Sequence, residues 1–128
     1  MSDPSLLIVE DDENVAQLLA FVFAREGFAP VVLRDGRAAH AHVAAEPPPV
    51  AVVLDVMLPY RDGFSVAAAM RADPRWRDVP IVMLTARSLG ADVDRGITLG
   101  VAEYVLKPFH PRALVGCVRS LMRRASAA

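Results

Sequence analysis

The chain has 128 residues, about one domain's worth, and its 54% hydrophobic content at a net charge of only −1 excludes intrinsic disorder. Its longest apolar stretches, such as Val50–Leu54, fall far short of the roughly 20 residues of a membrane span, and 14 basic against 15 acidic residues set up no global positive field for nucleic acid. One cysteine, Cys117, excludes an intrachain disulfide framework and a cysteine-based zinc site, and the polar Met1–Ser5 is no secretory signal, so a compact soluble domain of the cytoplasm is expected.

Short apolar runs alternate with helical patterns along the chain. Leu6–Val9 reads as a first strand, ending in Glu10-Asp11-Asp12. Val15, Leu18, Leu19, Val22 and Phe23 then form an apolar stripe at helical spacing, stopped by Gly27. Val31–Leu33 is a second strand, followed by Arg34-Asp35 and an Ala-rich helix over Gly36–Ala45. Pro47-Pro48-Pro49 breaks the chain before a third strand, Val50–Leu54, which runs directly into Asp55. Asp62-Gly63 is a turn and helix-start signal for a helix over Gly63–Arg71. Trp76 falls between that helix and a fourth strand, Ile81–Leu84, which ends in Thr85-Ala86. The segment Ser88–Gly100 is a poor helix, because Gly90, Gly96 and the β-branched Val93, Ile97 and Thr98 each lower its propensity. It reads equally as a mobile element or as an irregular helix held by packing. Tyr104–Leu106 is a fifth strand ending in Lys107-Pro108, and Pro111 opens a last helix with the stripe Leu114, Cys117, Val118, Leu121 and Met122. Strand–helix alternation repeated five times implies a parallel sheet with helices on both faces, and short, unbroken β-branched runs suit strands buried on both sides.

Ligands of an open parallel sheet bind beyond the carboxyl ends of its strands. If strands one, three, four and five are neighbours, Glu10, Asp11, Asp55, Thr85 and Lys107 converge there. Crowded carboxylates stay ionised only with a cation among them. Lys107 supplies one charge, and an oxygen-rich site open to water favours Mg²⁺ for the rest, with Asp11 and Asp55 as direct ligands and Glu10 acting through water. Lys107 is the only lysine beside 13 arginines, which points to a place where a compact ammonium fits and a planar guanidinium does not. Asp55 precedes the next helix start by several residues, so a capping role does not explain it. It is the candidate nucleophile for an acyl phosphate, with the metal, Lys107 and the Thr85 hydroxyl neutralising the phosphoryl oxygens.

Val9-Glu10-Asp11, Asp55-Val56-Met57-Leu58-Pro59, Asp62-Gly63, Thr85-Ala86 and Tyr104-Val105-Leu106-Lys107-Pro108-Phe109 together resemble the receiver domain of bacterial two-component response regulators. The resemblance runs from about Leu6 to Arg124, with a domain over 1–124 and a short tail over 125–128. It implies a single flavodoxin-like (βα)5 domain, α/β in class, with strand order 2-1-3-4-5. Asp55 is then the phosphoacceptor, and Glu10, Asp11, Asp55 and the Met57 backbone carbonyl surround Mg²⁺. Lys107 and Thr85 contact the phosphoryl group, and Thr85 and Tyr104 act as the switch pair. The Lys107–Pro108 bond is expected to be cis, as the modest cost of a cis X–Pro bond allows. A sensor histidine kinase or a phosphotransfer protein is the implied donor. Phosphorylation would change the surface made by the Ser88–Gly100 segment, the fifth strand and the last helix, which could pair with a partner or a second copy of the chain. The domain would catalyse its own phosphorylation and dephosphorylation without turning over an external substrate, and would bind neither nucleic acid directly nor a membrane. Met57 and Arg87 stand where this family tunes dephosphorylation.

The alternative is a receiver-like interaction module that works without phosphorylation; the full set of Glu10, Asp11, Asp55, Thr85 and Lys107 argues against it. A flavodoxin-like cofactor binder needs a donor-rich phosphate loop after strand one, where Glu10-Asp11-Asp12 would repel phosphate. An aspartate-based phosphatase would carry a second acid at the position of Met57. Asp12 reads as a solvated surface acid, and His40, His42 and His110 lack partners at ligand spacing. Cys117 reads as core, and Arg119, Arg123 and Arg124 as a solvated helix end.

Overall fold

Five short strands assemble in the order β2-β1-β3-β4-β5, every adjacent pair parallel. The computed structural model describes residues 3–86 and 99–127. Its elements are β1 Ser5–Val9, α1 Glu13–Arg25, β2 Ala29–Leu33, α2 Gly36–Ala45, β3 Ala51–Asp55, α3 Gly63–Ala72, β4 Ile81–Thr85, β5 Glu103–Leu106 and α4 Pro111–Ala127. The expected strands and the expected order are both present, with boundaries within two residues of the sequence reading. The weak Ser88–Gly100 segment and Arg87 lie outside the described residues except for Leu99 and Gly100, which form a turn. The last helix runs on through the 125–128 segment as far as Ala127.

The period of two in a strand sends successive side chains to opposite faces, and the core divides accordingly. Leu7, Val9, Val52, Leu54, Ile81 and Met83 pack against Ala39 and Val43 of α2 and Phe64, Ala67 and Met70 of α3, with Trp76 closing that layer. Leu6, Ile8, Ala51, Val53, Val82 and Leu84 pack against Leu19 and Phe23 of α1 and Leu114, Val115, Val118 and Leu121 of α4. β1, β3 and β4 are therefore buried on both sides, while β2 and β5 form the edges.

Among the described residues, three of the four helices start from an aspartate in the loop beyond the carboxyl end of a strand. Asp12, Asp35 and Asp62 each accept a hydrogen bond from the amide three residues on, at Val15 (3.0 Å), Ala38 (2.7 Å) and Ser65 (2.9 Å). These caps satisfy orphan amides of the first turn, so Asp12, exposed as expected, also serves as a helix cap. α1 buries Ala16, Leu19 and Phe23, whereas Leu18 is 45% and Phe21 60% exposed. Leu18 thus leaves the expected stripe, because the buried face follows the 16–19–23 spacing and Leu18 lies about 100° round the helix from Leu19. Arg119 is exposed, as expected, and also pairs with Glu26 at 3.0 Å and donates to the Glu26 carbonyl at 2.7 Å, tying α4 to the end of α1. Among the described residues no helix is long and apolar enough to cross a membrane.

Candidate functional site

The carboxyl ends of β1, β3 and β4 and the residue after β5 bring Glu10, Asp11, Asp55, Thr85 and Lys107 to one edge of the sheet. The position of Glu10 is fixed by its main chain, whose amide donates to the Leu33 carbonyl at 3.0 Å. Its side chain is 0% exposed. Glu10 Oε1 accepts from the Asp12 amide at 3.3 Å and from Lys107 Nζ at 3.1 Å. Glu10 Oε2 is buried without a hydrogen-bond partner among the described residues.

Asp55 closes β3 and is 3% exposed. Its Oδ1 accepts from the Met57 amide at 3.1 Å, and its Oδ2 from Lys107 Nζ at 3.0 Å. One ammonium therefore bridges two buried acids delivered by different strands. Lys107 follows β5 directly, with its amide on the Thr85 carbonyl at 2.8 Å, and its bond to Pro108 is cis. Asp11 is exposed, yet carboxylate oxygens of Glu10, Asp11 and Asp55 lie within 4.8 Å of one another. This is the sole group of three or more potential metal-ligating side chains among the described residues. His40 instead meets Ser65 Oγ at 3.2 Å, His42 stands edge-on to Trp76, and His110 Nδ1 accepts from the Arg112 amide at 3.2 Å.

The electrostatics follow from the count of charges. Burial, then the neighbouring charge of Asp55, push the Glu10 carboxyl up to about 7, and Lys107 offsets only part of this. Burial pulls the Lys107 ammonium down, but hydrogen bonds to Asp55 and Glu10 outweigh it and hold the group above its usual range. Three clustered carboxylates against one ammonium leave room for further positive charge. The donor set is all oxygen, is partly open to solvent, and includes the unpartnered Glu10 Oε2. It suits a small hard divalent cation.

Sequence reasoning missed Arg34. Its Nε donates to the Glu10 carbonyl at 3.1 Å and its Nη2 to the Asp11 carbonyl at 2.7 Å. By holding both main-chain oxygens it orients the acidic pair from behind. Its place after β2, opposite the end of β1, was the available signal. Thr85 is buried at the tip of β4. Tyr104 sits half-buried on β5, paired with Met83 and packed against the α2–α3 layer. The side chain of Met57 is exposed at the mouth of the site. Trp76 lies between α3 and β4, at the other end of the strands, with its indole N–H on the Glu46 carbonyl at 3.3 Å.

Comparison with known proteins gives one family and one fold. The family description "response regulator receiver domain" matches residues 6–119. The DNA-binding response regulator MtrA of Mycolicibacterium smegmatis is 44% identical over 119 residues, covering 93% of this chain and 50% of that protein. The phosphate regulon transcriptional regulatory protein PhoB of Escherichia coli is 37% identical over 121 residues, covering 94% and 52%. This chain thus spans about half the length of the curated relatives it matches. Among solved structures, the receiver domain of a sensor histidine kinase from Pseudomonas aeruginosa, with a magnesium ion coordinated in its active-site cleft, superposes with a TM-score of 0.85. It is 26% identical, and the match covers 94% of this chain and 98% of that one.

Proposed function

The chain belongs to the response regulator receiver family, and on that premise we propose that Asp55 is its phosphoacceptor, charged by a sensor histidine kinase or a phosphotransfer protein. The observation that carries this reading is the Lys107 ammonium shared between buried Asp55 and buried Glu10 at the carboxyl edge of the sheet. An acid at the tip of a central strand, beside a cation that can move to a phosphoryl oxygen, is equipped for nucleophilic attack on phosphorus. An Asp55 oxygen forms a bond to phosphorus as the bond from phosphorus to the donor imidazole nitrogen breaks. Asp11, Asp55 and the Met57 carbonyl would hold Mg²⁺, with Glu10 acting through water. When bound, the ion supplies the charge that offsets the phosphoryl oxygens. The Met57 amide orients Asp55, Arg34 orients the acidic pair, and Lys107 and Thr85 receive the transferred group.

Thr85 and Tyr104 form the switch pair in this reading. The altered surface centres on β5 and α4, with a partner or a second copy of the chain as its binder. The relatives named above, a DNA-binding response regulator and a transcriptional regulatory protein, are about twice this length; for the receiver itself, acting in the cytoplasm, near-neutral charge supports signalling through protein contacts rather than direct nucleic-acid contact. The domain acts on its own Asp55 and turns over no external substrate.

Intact mass spectrometry tests the proposal. With Mg²⁺ and a small acyl phosphate the protein gains one phosphoryl group, and Asp55→Asn gains none. A wild-type mass unchanged by several donors would replace this reading with that of a phosphorylation-independent interaction module.

A further inference from the structure

Arg71 stands in the last turn of α3, half-buried, at the end of the sheet opposite Asp55. It forms no ion pair among the described residues. All five of its N–H groups go to main-chain carbonyls instead. Nε donates to Leu99 at 2.8 Å. Nη1 donates to Trp76 at 3.3 Å and Arg77 at 2.8 Å. Nη2 donates to Val79 and Gly100, each at 3.0 Å. Residues 76–79 lead into β4, and residues 99–100 lead into β5. One side chain therefore gathers the starts of two adjacent strands. Gly100 has a φ of +71°, and a Cβ there would come within 3.1 Å of Arg71 Nε, so the turn is shaped around the guanidinium.

β5 needs such a fixture. It has four residues, pairs only with β4 and is nowhere fully buried. Packing alone holds it less firmly than β1, β3 or β4. Its far end carries Lys107, which must reach both Glu10 and Asp55. At about 3.3 Å per residue, the strand is a short, stiff link between the two cations.

We propose that Arg71 is a positioning residue for the acceptor site: it fixes where β5 begins, and thereby where Lys107 arrives beside Asp55. The inference rests on the reading of Asp55 as phosphoacceptor. Arginine is required because its planar fork spans five carbonyls, whereas the three donors of a lysine radiate from one point.

Arg71→Lys and Arg71→Met in the full chain test this. Amide hydrogen exchange should accelerate about 10-fold at Ala102 and Lys107, whose amides donate to the Ile81 and Thr85 carbonyls of β4, and much less in β1 and β3. Mg²⁺ affinity should hold within about 2-fold, because the three carboxylates sit on or directly after β1 and β3. The rate of phosphorylation by a small acyl phosphate should fall about 10-fold, with no rescue by lysine, because misplacing a catalytic cation is costly. Loosening spread evenly over all strands, a wild-type phosphorylation rate in both Arg71 variants, or full rescue by Arg71→Lys would each overturn the proposal. If the wild-type protein accepts no phosphoryl group, the acceptor reading fails by itself, and the exchange pattern still decides whether Arg71 holds β5.

Discussion

Among the described residues, Glu10 is the one whose ionisation is moved far enough from its ordinary range to change its charge near neutral pH. Its carboxyl lies at about 7 in the folded chain against an ordinary 4.5, raised first by burial and then by Asp55. The groups facing it are Asp55, Lys107 and Asp11. A carboxyl that binds its proton more tightly when folded contributes stability that is complete below about pH 4.5 and is lost as pH rises through about 7. The metal-free protein should therefore resist urea better at pH 5 than at pH 8, with a contribution from Glu10 on the order of 3 kcal/mol. Added Mg²⁺ should shrink that difference, since a divalent cation favours the ionised carboxylate. Equal urea midpoints at both pH values without metal would show that Glu10 is not strained by its setting. Glu10, Asp55 and Lys107 were legible in the sequence because each directly follows a short apolar run that reads as a strand, and Lys107 also because it is the only lysine. Arg34 was not, since an arginine that binds carbonyls has no spacing rule to mark it among 13 arginines.

At the scale of elements, the helix starts decide the shape of the sheet's working edge. Asp12 follows Glu10 and Asp11, two of the three acids of the cluster, and that run of acids hid an N-cap signal in the sequence reading. The structure assigns it to α1, with its carboxylate on the Val15 amide. Asp12→Ala should cost about 1 kcal/mol of stability, as a lost N-cap does, while leaving the midpoint of a Mg²⁺ titration where it was. A large fall in Mg²⁺ affinity would make Asp12 a ligand after all. The same helix shows the limit of reading stripes. Apolar spacing marked Leu18, but the 13-residue helix buries a narrower face than the stripe suggested, with Leu19 and Phe23 packed against the strands and Ala16 buried beside them. Strands were easier, because runs buried on both faces leave little doubt about orientation.

For the whole molecule, the parallel sheet separates the acceptor edge from the opposite end, where Trp76 and Arg71 sit. Trp76 is fully buried against the α2–α3 layer. Its fluorescence should stay nearly constant through a Mg²⁺ titration that saturates the acidic cluster; strong, saturable quenching at low metal would mean that the two ends communicate. The strand order was legible through the resemblance, and the strands themselves through their composition. The fixture at the far end was not, because Arg71 differs from its neighbours only in what the fold brings to it.

The two-layered core has a practical corollary. Trp76 belongs to one side of the sheet and Cys117, half-buried on α4, to the other, and each is the only residue of its kind in the chain. The unaltered sequence thus already contains an energy donor and a single thiol for attaching an acceptor dye, a ruler running through the thickness of the domain. Burial pushes the Cys117 thiol up, so attachment calls for mildly alkaline buffer, and the transfer efficiency then reports whether signalling moves the two layers apart.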